Sequence, residues 1–131
     1  MLLDTSGLLC LLHRDEPQHE EATQLYSATA RGLTHSYVLA EFIALAHVRG
    51  LPRRRSLDFS EYALEEAKIE VVWVDETLHR QALSLLNARF DKTYSLCDAV
   101  SFVLMRERHI VEALTTDHHF EQEGFIRLLS S

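Results

Sequence analysis

The chain has 131 residues, 47% of them hydrophobic and 25% charged, with four glycines and two prolines; this make-up excludes a disordered chain and predicts one globular domain over residues 1–131 with short loops. The formal charge of −7 argues against a broadly basic nucleic-acid surface, because phosphate contacts draw on clustered Lys and Arg. No apolar run is long enough to cross a bilayer and the N-terminus lacks a basic flank, so a cytoplasmic protein is expected, with Cys10 and Cys97 as buried thiols rather than a disulfide or zinc pair.

Met1 to Leu3 reads as a buried strand that turns at Asp4, Thr5, Ser6 and Gly7 into an apolar helix reaching Leu12. After a polar break, Pro17 suits the first turn of a second helix, which keeps Ala22, Leu25, Tyr26 and Ala30 on one face and stops at Gly32. Leu33 to His35 is a short strand, and Ser36 is the expected N-cap of a helix from Tyr37 to Arg49. That helix is apolar on nearly every side. It is therefore expected to be largely buried, with its single acid, Glu41, in need of a partner.

Gly50 and Pro52 punctuate the chain before a helix from Arg53 to about Ala67. Ile69 to Val74 is the clearest strand, with Trp73 read as a core aromatic. Asp75 caps a helix whose apolar face carries Leu78, Ala82, Leu85 and Leu86, and Asp91 to Tyr94 is a loop. Ser95 opens another apolar helix, containing Phe102 and one lone acid, Asp98. Ile110 to Thr115 is a strand ending in Thr116 and Asp117, and a helical turn and a strand from Phe125 to Leu129 close the chain. Alternating strands and helices predict an α/β fold, a three-layer α/β/α sandwich around a mainly parallel sheet.

Ligands of such sheets gather at the carboxyl ends of the strands, near the reversal of strand order. Asp4 and Asp117 end strands, and Asp98 opens a helix that must descend from the same edge. Glu41 lies early in the helix after the second strand. Taken singly, Asp4, Asp98 and Asp117 serve equally well as helix caps or as ligands, with Ser95 and Asp98 at capping-box spacing. Glu41 has no cap geometry available to it. Converging carboxylates repel one another, and a hard divalent cation resolves that repulsion.

The chain resembles the PIN-domain nucleases, and in particular the VapC-type ribonuclease toxins, at L-D-T-S around Asp4, S-Y-V-L-A-E ending at Glu41, S-L-C-D-A-V-S-F around Asp98, and A-L-T-T-D-H-H-F around Asp117, finishing with E-G-F near Gly124. The resemblance implies a five-stranded sheet in the order 3-2-1-4-5 and a Mg²⁺- or Mn²⁺-dependent endoribonuclease leaving a 5′-phosphate and a 3′-hydroxyl. Carried over by position, Asp4, Glu41 and Asp98 are the acidic core, Asp117 is a more variable fourth member, and Thr5, Ser6 and Thr115 are supporting hydroxyls. Cys97 departs from the threonine that many relatives carry before the aspartate. A small antitoxin partner and a homodimer are implied by the resemblance alone.

Arg53, Arg54 and Arg55, with Arg49 nearby, form the one basic cluster, set against the macrodipole of their helix. RNA phosphates, an acidic partner and a plain solvated face all remain open readings for it. Tyr94, just before the Asp98 helix, is the tyrosine singled out for RNA contact. The eight histidines suggest zinc, but no Cys lies at ligand spacing, no H-E-x-x-H is present, and adjacent His118 and His119 are expected to point apart. His119 and Phe120 are read as packing at the end of the sheet. The rival to the enzyme is a PIN-like module without useful catalysis, binding RNA or a protein partner.

Overall fold

A computed structural model describes residues 1–130. In chain order the elements are β1 (Leu2–Leu3), α1 (Thr5–Leu12), α2 (His19–Ala28), β2 (Gly32–His35), α3 (Ser36–Val48), α4 (Arg53–Glu65), β3 (Ile69–Val72), α5 (Glu76–Ala88), α6 (Leu96–Glu107), β4 (Glu112–Leu114), α7 (His119–Gln122) and β5 (Ile126–Arg127). The five strands pair in the order β3-β2-β1-β4-β5, and every pairing is parallel. This is the sandwich that alternating strands and helices require.

Strand β1, only two residues long, sits where the sheet is most enclosed. Leu2 and Leu3 pair with Ala113 and Leu114, all four without measurable exposure, and alternate side chains supply two cores. Leu3 and Leu114 pack with Leu8, Leu9, Val38, Phe42 and Phe59. Leu2 and Ala113 pack on the other face with Leu78, Val100, Phe102, Met105 and Phe120. The order of connection reverses between β1 and β4, so the crevice beyond their carboxyl ends is the topological switch point.

Gly7 makes that crevice narrow. A Cβ at this position would stand 1.9 Å from the backbone oxygen of Leu114, so only glycine lets the first turn of α1 lie this close to β4. Asp4 and the residue after Leu114 are thereby held side by side.

Several local expectations are corrected. His35, not Ser36, caps α3, its Nδ1 accepting from the Val38 amide, while the Ser36 hydroxyl accepts from the Val74 amide and ties α3 to the end of β3. Strand β3 stops at Val72, and Trp73 is 66% exposed rather than core, because β3 is an edge strand and its end outruns the helices that cover it. Helix α3 is buried along Val38, Leu39, Phe42 and Ala46, yet Ala40, Glu41, Ala44, His47 and Val48 are exposed. Its apolar composition hid a solvent face in which two alanines and Val48 stand beside Glu41 and His47.

Candidate active site

Asp4 follows β1 directly and occupies the N-cap position of α1, but it makes no side-chain cap bond. Its Oδ2 instead accepts from the Thr115 hydroxyl at 2.7 Å, in a fully buried contact. Because the Thr115 proton goes to Asp4, the Ser6 hydroxyl, 3.1 Å away, must donate to Thr115, and Ser6 in turn accepts from the Thr116 amide at 3.0 Å. The Asp117 amide also donates to Thr115 Oγ1 at 3.0 Å. One directed chain of hydrogen bonds thus fixes the Asp4 carboxylate and positions the segment that carries Asp117.

Asp98 arrives from the opposite layer. Ser95 and Asp98 form a complete capping box, with Ser95 Oγ accepting from the Asp98 amide and Asp98 Oδ2 accepting from the Ser95 amide. Cap and site are the same residue here, since the box holds Asp98 at the top of α6 with its carboxylate in the crevice. Oδ2 also lies 3.1 Å from His119 Nδ1, and an ionised carboxylate only accepts, so that nitrogen carries the proton. Asp117 Oδ1 accepts from the His119 amide at 2.9 Å and lies 3.3 Å from His119 Nδ1. The imidazole therefore stands between two carboxylates.

The electrostatics agree with the geometry. Burial, opposed by the Thr115 hydrogen bond and reinforced by Asp98 and Asp117, pushes the Asp4 carboxyl up to about 7. Asp98 is also raised, by burial first and by Asp117. Glu41 is exposed on α3 and lies at the margin of the group, where it acts with Asp4 and Asp98 to raise the Cys97 thiol after burial has done most of that work. The structure brings Asp4, Asp98 and Asp117 together, while Glu41 is linked to them only through the Cys97 thiol that all but Asp117 act upon. The buried Thr5 hydroxyl, next to Asp4 in the chain, has no nitrogen or oxygen hydrogen-bond partner among the described residues and faces the Cys97 thiol. Crowded carboxylates make an oxygen-rich donor set suited to Mg²⁺ or Mn²⁺.

The other candidates fall elsewhere. Tyr94 is buried, its hydroxyl 3.1 Å from Glu123 Oε1 and its ring edge-on to Phe102 and His119. Arg54 pairs with Asp58, and Arg55 donates to the carbonyl of Leu12, the last residue of α1, where a cation meets the negative end of a helix dipole. Arg49 pairs with Glu16. Two functional-looking features escaped the sequence. His119 touches two of the acids, and the one local signal for it is the Asp117-x-His119 spacing, which an Asx turn folds back on itself. Glu123 is a buried hub for Arg89, Arg106 and Tyr94.

The sequence profile of the PIN domain matches residues 1–125. The chain is 27% identical over 129 residues to proteins named 23S rRNA-specific endonuclease VapC20 from two strains of Mycobacterium tuberculosis, CDC 1551 / Oshkosh and H37Rv, covering 98% of this chain and 97% of theirs. A crystal structure of M. tuberculosis VapC20, titled a sarcin-ricin loop cleaving toxin, superposes with a TM-score of 0.88 at 26% identity, covering 99% of this chain and 98% of that one. With the 3-2-1-4-5 parallel sheet and the acids at its switch point, this chain belongs to the PIN domain family.

Proposed function

We propose that the protein is a divalent-metal-dependent endoribonuclease, the toxin of a toxin–antitoxin pair, with structured RNA as substrate and a small antitoxin protein and a second copy of itself as partners. The observation that carries the reading is the meeting of Asp4, Asp98 and Asp117 at the carboxyl edge of the sheet, with Asp4 fully buried there and raised to about 7 by that burial first and by the two neighbouring acids after it. Full-length similarity to rRNA-cleaving relatives supports the substrate class.

Asp4, Asp98 and Asp117, with Glu41 at the margin, are the residues that would hold Mg²⁺ or Mn²⁺. Such an ion supplies positive charge for the scissile phosphate and acidifies water near it. The protein's part is alignment. Thr115, held by Ser6, commits one oxygen of Asp4 to a hydrogen bond and leaves the other for the ion; Ser95 and His119 do the same for Asp98. Asp117 and Glu41 are the carboxylates left to accept a proton from the attacking water, and the crevice between α1 and α6 sets the line of attack.

Incubation with a panel of RNAs that includes a 23S rRNA sarcin-ricin stem-loop, with Mg²⁺ or Mn²⁺ and with a chelator, tests the reading. Metal-dependent cuts with 5′-phosphate ends are expected. No RNA cut and no metal bound would replace the enzyme by a PIN-like binding module.

A further inference from the structure

His118 and His119 do not diverge. Their ring centroids are 4.7 Å apart, and Asp117, His118 and His119 place one ligand atom each within 4.8 Å of one another. The edges of this triangle have chemical meaning. A tetrahedral zinc ion with bonds of about 2.0–2.1 Å sets its ligand atoms about 3.3–3.4 Å apart. His119 Nδ1 is 3.3 Å from Asp117 Oδ1 and His118 Nδ1 is 3.8 Å from the same oxygen; zinc would displace the proton from His119 Nδ1, the ring's other nitrogen keeping one toward Thr93 Oγ1, 3.1 Å away, and a small rotation of the exposed His118 closes the set.

The His118 side chain has no hydrogen bond among the described residues, and its Nδ1 faces Asp117. A ring held by nothing else, turned toward a carboxylate and a second imidazole, is a free nitrogen donor. The oxygen cluster suits hard ions, whereas this trio of two imidazoles and a carboxylate suits Zn²⁺ or a similar first-row transition ion. Mg²⁺ has little use for it.

We propose that Asp117, His118 and His119 form a binding site for a zinc-class transition-metal ion, beside the oxygen cluster and in competition with it for Asp117. Binding requires no RNA. Occupancy draws the Asp117 carboxylate onto the nitrogen-rich side and slows RNA cleavage; that second consequence rests on the function proposed above, the binding does not.

Titration calorimetry of the metal-free full chain with ZnCl₂, without RNA, reads the site directly. His118→Ala is expected to weaken zinc at least tenfold while leaving stabilisation by Mg²⁺ unchanged, and Asp4→Asn is expected to leave zinc affinity within about threefold. Zinc affinity unchanged in His118→Ala overturns the site, as does its loss in Asp4→Asn, which would put zinc in the oxygen cluster. In the cleavage assay, zinc added to the Mg²⁺ reaction is expected to inhibit the native chain more strongly than His118→Ala, and equal inhibition contradicts the competition. If no RNA is cut at all, the proposed function fails while the calorimetry still decides the zinc site.

Discussion

Asp4 is the residue on which the site turns, and its protonation has a measurable thermodynamic consequence. Its folded carboxyl is raised from 3.8 to about 7, so between those values the folded protein holds a proton that the unfolded chain releases. Stability of the metal-free protein from this residue is therefore present at low pH and lost as pH rises toward 7, by about 4 kcal/mol in full. Denaturant melts at pH 5 and pH 7 should show Asp4→Asn gaining relative to the native chain at the higher pH, and parallel profiles would contradict the burial account. His35 runs the other way. Held neutral between Val38 and Ser101 and lowered by burial to about 4, it contributes stability that is present above pH 6.5 and lost as pH falls through 4, by about 3 kcal/mol. His35→Gln should remove that slope in melts from pH 7 down to pH 4. Asp4 was legible in the sequence as the lone acid of an apolar opening. His119 was not, because its contact with Asp98 exists only once α7 folds back over α6.

Elements carry the site by how closely they approach. Gly7→Ala would drive a methyl group into the Leu114 carbonyl, separating α1 from β4 and stretching the Asp4–Thr115 contact. A destabilisation of about 2–3 kcal/mol or more is expected by denaturant titration, whereas an unchanged midpoint would mean that α1 can shift freely. Glu123 plays the matching part on the other layer, where Arg89, Arg106 and the buried Tyr94 hydroxyl converge on it. Burial would raise its carboxyl, but the three donors outweigh that and lower it. Glu123→Ala should cost about 2 kcal/mol, chiefly through the orphaned Tyr94 hydroxyl, since both arginines can turn to water. A loss below about 0.5 kcal/mol, within the range of ordinary surface substitutions, would contradict the hub. Helix positions and a mainly parallel sheet were readable from periodicity and connection rules, whereas the strand order 3-2-1-4-5 came only with the family resemblance. The exposed face of α3 and the early end of β3 were not, because small and apolar residues at an edge look the same in sequence as those in a core.

At the scale of the whole molecule, residues far apart in sequence meet at one edge because β1 and β4 are neighbours and α6 descends from their carboxyl ends. The rule that ligands gather at the carboxyl ends of parallel strands foretold that Asp4, Glu41, Asp98 and Asp117 converge, of which Glu41 is exposed, while the hydroxyl relay that aims Asp4 needed side chains in space. The −7 charge finds part of its reason here, since an acid cluster matched to a divalent ion contributes negative charge at the site where phosphate must arrive. The central claim is that this cluster drives RNA hydrolysis through a divalent ion. Its most direct test is the Mn²⁺-supported cleavage rate of a 23S rRNA stem-loop by Asp4→Asn at saturating metal: the account predicts a loss of at least about 100-fold in a folded protein, and cleavage at the native rate would contradict it.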